Sequence, residues 1–409
     1  MNASASPEKR KVIFIADIGT TTIKASLCAQ SGSAGKQVQQ LAVLSEKNAQ
    51  SVFGIDVISR VLYAHHNGVE PLQKKVLSQL LTMLGKLCET AGIKPEMLSL
   101  IILTGNTVML HLARDLSVQG FEMAPFTPVT VEPAEIPFSE LFAKAACVAE
   151  EEPGHAMPAA EIPVLFPPCI DAFLGADAVC AALYSWNQTC PESDSGRGNA
   201  KPILIADVGT NTEIMMLTYV EAKDGNDLKL SCCSTAAGPA FEGGVCGGRY
   251  TGSELVHMLS EMLETGGMDE TGLLLEADGS LGVQASVHTK LTQDAVRQLQ
   301  LAKGAVCAAI ETLLKEEGLA VSDVGMFVLC GNFGSALNVE EAERIGLFPD
   351  GLAAVTTYAG NAAELGAQLL VCDEMRKKAK KIAASGKLIQ LADSSYFSRR
   401  YIERMNFTV

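Results

Sequence analysis

Apolar and polar positions alternate along this chain with two periods, and the change from one period to the other recurs. Residues 12–16 (Val-Ile-Phe-Ile-Ala) are wholly apolar and β-branched-rich, which predicts a buried strand. Residues 23–28 predict a second strand, returning around a turn at Gly19. From 71 to 91, Val76, Leu80, Leu84 and Leu87 recur at three- and four-residue steps, the signature of an amphipathic helix. Residues 98–103 predict another buried strand, running into Thr104-Gly105-Asn106-Thr107, where glycine permits a tight turn and Thr107 is placed to open a helix over 108–115. A further helix is expected over 176–184. The pattern then restarts, with strands over 203–206 and 213–219. A long helix is expected over 293–317, capped by Thr292, stopped by Gly318 and striped by Val296, Leu299, Val306, Ile310 and Leu313. A strand over 326–330 meets Gly331-Asn332-Phe333-Gly334, and an alanine-rich helix is expected over 361–371. Strands and helices interleaved in this way predict an α/β fold.

The restart is a repeat. Aligning residues 13–27 on 203–217 gives eight identities in fifteen, including Asp17 with Asp207, Gly19 with Gly209, Thr20 with Thr210 and Thr22 with Thr212. Internal duplication is the economical explanation. Residues 149–160 and 187–201 are rich in acids, Pro, Gly and Ser and read as exposed loops. The second of these precedes the repeat, so the expected organisation is a polar tail 1–11, a first lobe 12–186, a linker 187–201 and a second lobe 202–409.

Each copy of the repeat is an apolar strand that ends on a carboxylate and turns on a glycine into hydroxyl or amide side chains. Asp17 and Asp207 are candidates to hold a hydrated magnesium ion on nucleotide phosphates. A single Asp-x-Gly-Thr is more simply a turn cap, but its repetition favours the metal. Gly19, Thr20, Thr21 and Thr22, with Gly209, Thr210 and Asn211, are candidates for phosphate oxygens, against the alternative of ordinary strand threonines. Gly331, Asn332 and Gly334 follow a strand and suit close backbone approach to adenosine. Gly238, the pairs Gly243-Gly244 and Gly247-Gly248, and Glu242 mark a glycine-rich loop, where Glu242 either orients water or metal or is a surface acid. Arg297, Gln300 and Lys303 recur every three residues and face either the nucleotide or solvent. His111 has no companions at ligand spacing and reads as structural.

Composition narrows the partners. With 48% hydrophobic and 19% charged residues over 409, the chain has enough apolar sequence for two cores. A net charge of -15 argues against a nucleic-acid partner. No apolar run approaches membrane-spanning length, and the short run after the polar start does not make a signal core, so a cytoplasmic location is expected. The twelve cysteines contain no Cys-x-x-Cys and mostly sit in apolar runs, as buried hydrophobes do. Cys232, Cys233 and Cys246, flanking the glycine-rich loop, stay open to another role. There is no Gly-x-x-x-x-Gly-Lys-Ser/Thr and no Gly-x-Ser-x-Gly.

The two Asp-x-Gly-Thr phrases and the later glycine turn resemble the superfamily of actin, sugar kinases and heat-shock chaperone ATPases. More narrowly, the chain resembles the ATP-binding region of the reductive activators of corrinoid proteins. That resemblance rests on residues 17–22, Gly105-Asn106-Thr107-Val108-Met109, Ala124-Pro125-Phe126-Thr127-Pro128, residues 207–213, the run 233–243, residues 294–303 and 331–334, Ile345-Gly-Leu-Phe-Pro-Asp350 and Gly360-Asn-Ala-Ala. It implies two ribonuclease H-like lobes with a nucleotide cleft between them, ATP and Mg2+ as cofactors, and a homodimer. It also implies an activator that uses ATP to drive reduction of the cobalt of a corrinoid or methyltransferase protein. No ferredoxin-like segment is legible in the sequence, so a separate electron donor is expected. Two other functions fit the same residues: a small-molecule kinase, which acceptor-dependent ADP release would reveal, and a non-catalytic module that ATP latches onto a partner.

Overall fold

Residues 11–31, 37–143, 158–189, 201–209, 211–222, 225–235, 240, 250–275 and 291–407 are described by the computed structural model. They form two units: Met1–Tyr184 with Ala363–Ala384, and Ser185–Ala362 with Ser385–Val409.

The first unit is built on strands β1 (Lys11–Ile18), β2 (Thr22–Ser31), β3 (Gln37–Lys47), β4 (Leu98–Gly105), β5 (Ala134–Pro137) and β6 (Pro163–Phe166) in the order β3-β2-β1-β4-β6-β5. β1 runs antiparallel to β2 and parallel to β4. A central strand is covered on both faces, which is why residues 12–16 are all buried and all apolar. Helices α1 (Val57–Asn67), α2 (Glu70–Ala91), α3 (Thr107–Ala113), α4 (Phe138–Leu141) and α5 (Ala176–Thr189) complete this part of the chain. α2 buries Val76, Leu80, Leu84 and Leu87, the stripe that its spacing predicts, and ends on left-handed Gly92. α3 starts one residue earlier than the sequence suggests: Asn106 is its cap, accepting from the Met109 amide at 2.9 Å, while the Thr107 hydroxyl donates to the Asp171 carbonyl at 2.5 Å.

The second unit repeats the plan with β7 (Ile203–Val208), β8 (Thr212–Ala222) and β9 (Gly225–Thr235). Helices α6 (Gly252–Thr265) and α7 (Gln293–Glu316) follow, then strand β10 (Met326–Cys330), helices α8 (Gly331–Gly334) and α9 (Val339–Arg344), and strand β11 (Thr356–Gly360). Helices α10 (Ala362–Leu369) and α11 (Asp373–Ala384) follow in sequence, and residues 363–384 belong to the first unit. β12 (Gly386–Leu388) and α12 (Ser395–Arg404) return to the second. Its sheet has the order β11-β10-β7-β8-β9-β12. β7 is antiparallel to β8 and parallel to β10, so β9-β8-β7-β10-β11 matches β3-β2-β1-β4-β6 strand for strand. The duplication therefore covers five strands, far beyond the fifteen residues that align.

α7 has the cap and stop expected of it: the Thr292 side chain accepts from the Ala295 amide at 3.2 Å, and Gly318 follows at φ +67. Residues 331–334, expected as an open turn, form one helical turn closed by the Ser335 amide on the Gly331 carbonyl at 3.2 Å.

Candidate functional site

The first conserved-looking turn of the repeat leaves the sheet at the centre of the first unit. Asp17, half-buried, stands opposite Lys24 of β2 and Thr104 of β4. Gly19 admits no side chain, since a Cβ there would lie 2.6 Å from the Thr22 carbonyl oxygen. The turn is anchored from behind by residues distant in sequence. Asn48, fully buried, donates its side-chain amide to the Gly19 carbonyl and its backbone N–H to the Thr21 carbonyl, both at 2.8 Å. Arg60 of α1 donates through Nη2 to the Thr20 carbonyl at 2.7 Å, and Asn106 donates to Thr20 Oγ1 at 3.1 Å. Three successive carbonyls are thereby engaged by protein donors. The ligand-facing chemistry of the turn is left to its amides and hydroxyls, a donor set that suits phosphate oxygens.

The second turn sits at the matching place. Asp207, half-buried, ends β7 opposite Glu213 and Cys330. The Gly209 amide bonds the Asn211 carbonyl at 3.0 Å, and Asn211 is exposed. Gly331 packs directly on this carboxylate: at φ +85, its Cβ would lie 2.4 Å from Asp207 Oδ1 and 2.6 Å from the Val208 oxygen. Asp207, Gly209, Asn211 and Gly331 are thus brought together in one unit, with Asn332 and Gly334 on the same strand exit. Asp17, Gly19, Thr20, Thr21 and Thr22 are brought together in the other. Thr210, Gly238, Glu242 and Cys246 lie outside the described residues.

Lys303 goes elsewhere. It is fully buried, donating to the Arg404 carbonyl at 2.7 Å and to the Asn406 carbonyl, with Phe407 beneath it at 4.7 Å. Burial pushes its pKa down to about 7. Gln300 bonds the Thr271 and Met405 carbonyls at 2.8 and 2.9 Å, and Arg297 bonds the Thr271 carbonyl at 2.9 Å and Gln300 Oε1. Lys303 and Gln300 are buried and face neither the nucleotide nor solvent, while Arg297 stays exposed. The end of α12 and residues 405–407 pack on α7, and the carbonyls of Arg404, Met405 and Asn406, which have no helical partners, take Lys303 and Gln300 as donors. Cys232 and Cys233 are buried, and burial raises the Cys233 thiol strongly. His111 is a core residue, its Nδ1 on the Thr107 carbonyl at 2.8 Å, its ring edge-on to Phe121 and its pKa lowered by burial.

Asn48 and Arg60 carry no signal in sequence, because only the fold brings them to residue 19 or 20. Asn106 could have been found. Gly105-Asn106 and Gly331-Asn332 both follow the strand parallel to the repeat, opposite Asp17 or Asp207 at one residue's remove, so the duplication includes a second dipeptide.

A nucleotide and its cation fit these residues. Thr212 Oγ1, at the foot of the second turn, is buried without a hydrogen-bond partner, and the bare backbone of Gly331 lies directly against the Asp207 carboxylate. Among the described residues no group of three or more His, Cys, Asp or Glu side chains forms a metal cage. A cation here would therefore lean on one or two carboxylates, water and phosphate, which is how magnesium is commonly held.

Comparison with known proteins places these turns in a family. The description "RACo middle region" matches residues 14–186, and "C-terminal domain of RACo the ASKHA domain" matches residues 201–249 and 248–409. The chain is 28% identical over 423 residues to the corrinoid activation enzyme RamQ of Eubacterium limosum, covering 89% of this chain and 65% of that protein. It is 24% identical over 300 residues to the [Co(II) methylated amine-specific corrinoid protein] reductase of Methanosarcina barkeri, covering 60% of this chain and 51% of the relative. The solved structure of a reductive activator for corrinoid, iron-sulfur protein superposes with TM-score 0.74 at 23% identity, over 98% of this chain and 67% of that one. The chain thus spans about half to two thirds of the relatives it matches.

Proposed function

We propose, from the premise that this chain belongs to the RACo family, that it binds ATP with Mg2+ and hydrolyses it to activate a corrinoid protein or methyltransferase system, with electrons supplied by a separate protein. The observation that carries this reading is the doubled strand end: carboxylate, glycine turn and hydroxyls at the same position of two six-stranded sheets that match over five strands.

In this reading Asp17 and Asp207 accept hydrogen bonds from the water shell of the cation. Gly19, Thr20, Thr21 and Thr22, with Gly209, Thr210 and Asn211, donate to phosphate oxygens. Gly331, Asn332 and Gly334 line the adenosine side, and Gly238 and Glu242 belong to a loop that orients the attacking water. Magnesium, when bound, neutralises phosphate charge and makes the terminal phosphoryl a better electrophile. The protein's share is positioning: turns whose carbonyls are already held do not have to reorganise when an anion arrives. The nucleotide works on the partner by shifting a conformational equilibrium, and it shifts that equilibrium only by its differential affinity for the two states.

In this reading electrons come from another protein, and the burial of eight described cysteines supports it, since it suits packing and not cluster ligation. We take the functional form to be a homodimer. The test is magnesium-dependent ATP binding and hydrolysis, with and without a corrinoid protein, in the wild type, Asp17→Asn and Asp207→Asn. Hydrolysis stimulated by the corrinoid protein and lost in both variants supports the reading. A wild type that binds no ATP, or variants that turn over like wild type, refute it. ADP release that depends on a small-molecule acceptor would make it a kinase, and tight binding without turnover a latch.

A further inference from the structure

The buried cation beneath the first turn has no place in that account so far. Arg60 is fully buried, and its forked head makes four contacts: Nε to the Gly54 carbonyl at 2.9 Å, Nη1 to Gln50 Oε1 at 3.4 Å and Met109 Sδ at 3.2 Å, and Nη2 to the Thr20 carbonyl at 2.7 Å. Every acceptor is neutral, and among the described residues no carboxylate forms an ion pair with it. Asp56, the acid whose charge acts on it, spends its side chain capping α1 on the Ser59 amide at 2.7 Å. Burial pushes Arg60 down to about 10, which leaves it charged at neutral pH.

A guanidinium held dry without a counter-ion is a costly thing for a fold to keep, and an apolar side chain of similar size would be the cheaper filling. We infer that Arg60 is a positioning residue for an anionic phosphate on the 19–22 turn, holding that turn through the Thr20 carbonyl and lending the turn a positive charge that no carboxylate among the described residues pairs with directly. This rests on the nucleotide reading and deepens it, assigning to the phosphate a residue that makes no contact of its own with the ligand. Geometry gives it both tasks. One bond of the fork fixes the turn, two others tie it to Gly54 and Gln50, and Met109 belongs to the helix that Asn106 caps, so the fork also links the turn to the element that holds Thr20 Oγ1.

The readout that separates this from a structural role is the preference for phosphate. Dissociation constants for Mg-ATP and for adenosine are measured by calorimetry on wild type, Arg60→Met, Arg60→Gln and Arg60→Lys, with Asp17→Asn in parallel. Arg60 acts on the phosphate as a nearby charge and not as a contact, so the neutral variants are expected to weaken ATP about tenfold while adenosine stays within about twofold. Arg60→Lys, which restores charge without the fork, recovers most of the ATP preference. Folding of each variant is checked by circular dichroism, and Arg60→Gln, which keeps one donor, decides the matter if Arg60→Met does not fold. A folded neutral variant with wild-type ATP affinity overturns the inference, as does equal loss of ATP and adenosine. If Asp17→Asn abolishes ATP binding in that case, the nucleotide reading survives and Arg60 alone is dismissed; a wild type that binds neither ligand removes both.

Discussion

Replacing Gly331 by alanine puts one methyl group where the second turn leaves no room. The native φ of +85 is a left-handed conformation that costs a residue with a Cβ about 1–2 kcal/mol. The new Cβ would also stand 2.4 Å from Asp207 Oδ1, 2.6 Å from the Val208 oxygen and 2.9 Å from the Val208 amide nitrogen, closer than real carbon contacts. Overpacking of this kind adds about 1–3 kcal/mol, so Gly331→Ala is expected to cost about 2–5 kcal/mol and to leave a folded protein. The softest atom in the clash is the Asp207 carboxylate, and moving it is what costs function: ATP affinity should fall at least about tenfold. Gly318→Ala is the control, since Gly318 also has positive φ, +67, but its Cβ would meet nothing within 4 Å. It should cost only the conformational term, about 1–2 kcal/mol, with unchanged ATP affinity. Truncating Asp207 to alanine relieves part of the clash, so the Gly331→Ala penalty should shrink in that background. Urea unfolding and calorimetric titration read all four proteins. A Gly331→Ala protein that is no less stable than Gly318→Ala and binds ATP like wild type would refute the reasoning.

Asn106→Ala removes both the cap of α3 and a donor to Thr20, and should cost about 1 kcal/mol in urea unfolding and weaken ATP binding measurably. Glu311 resists burial through hydrogen bonds from Arg400 at 2.6 and 2.7 Å and from Arg404 at 3.0 Å, which hold its carboxyl below the usual range. Its contribution is therefore complete above the unfolded carboxyl pKa of about 4.3 and lost as pH falls through the folded value, a loss that Glu311→Gln should show already at pH 7 by earlier proteolysis of α12. For Lys303 the sign is the same and the window differs: the unfolded chain keeps a proton up to about pH 10.4 that the folded chain releases near 7. Stability should rise between those pH values by up to about 1.4 kcal/mol per unit relative to Lys303→Met. Burial pushes Cys28 and Cys88 to about 11 and Cys169 and Cys307 to about 12. In native protein at pH 8, mass spectrometry should find these four unalkylated and, among the described cysteines, the partly exposed Cys372 modified first.

The elements that the pattern of apolar positions could predict are those whose packing is periodic. Residues 12–16 of β1 are apolar throughout because both faces of this central strand are buried, and α2 and α7 display their buried stripes at helical spacing. Both strand-end turns were legible for the same reason that the duplication was: Asp, Gly and Thr recur in one order at one offset. What the sequence hid is what tertiary contact decides. Lys303, Gln300 and Arg297 have the spacing of one helix face, and spacing cannot tell whether that face meets water, a ligand or, as found, the backbone carbonyls of Thr271 and of residues 404–406. Asn48 lies 29 residues from Gly19 and Arg60 lies 40 from Thr20, separations at which no local rule operates.

The two turns share a plan and differ in their supports. In the first unit the turn is held by polar side chains reaching in from Asn48, Arg60 and Asn106. Both turns are also backed by the bare backbone of a glycine at the end of the parallel strand: a Cβ at Gly105 would lie 2.6 Å from the Ile18 oxygen, and one at Gly331 2.4 Å from Asp207 Oδ1. Duplication preserved the strand order, the Asp-x-Gly-Thr phrase and this glycine backing because those place the donors; the polar side chains of the first turn are added to that frame. The two modes fail differently. A lost hydrogen-bond donor leaves a carbonyl to find water, a graded loss that related side chains repair in part. A lost glycine has no conservative replacement, because every other residue carries the Cβ that cannot be accommodated. The first turn should therefore tolerate substitutions among its polar supports with partial activity, and neither turn should tolerate one at its backing glycine, Gly105 or Gly331.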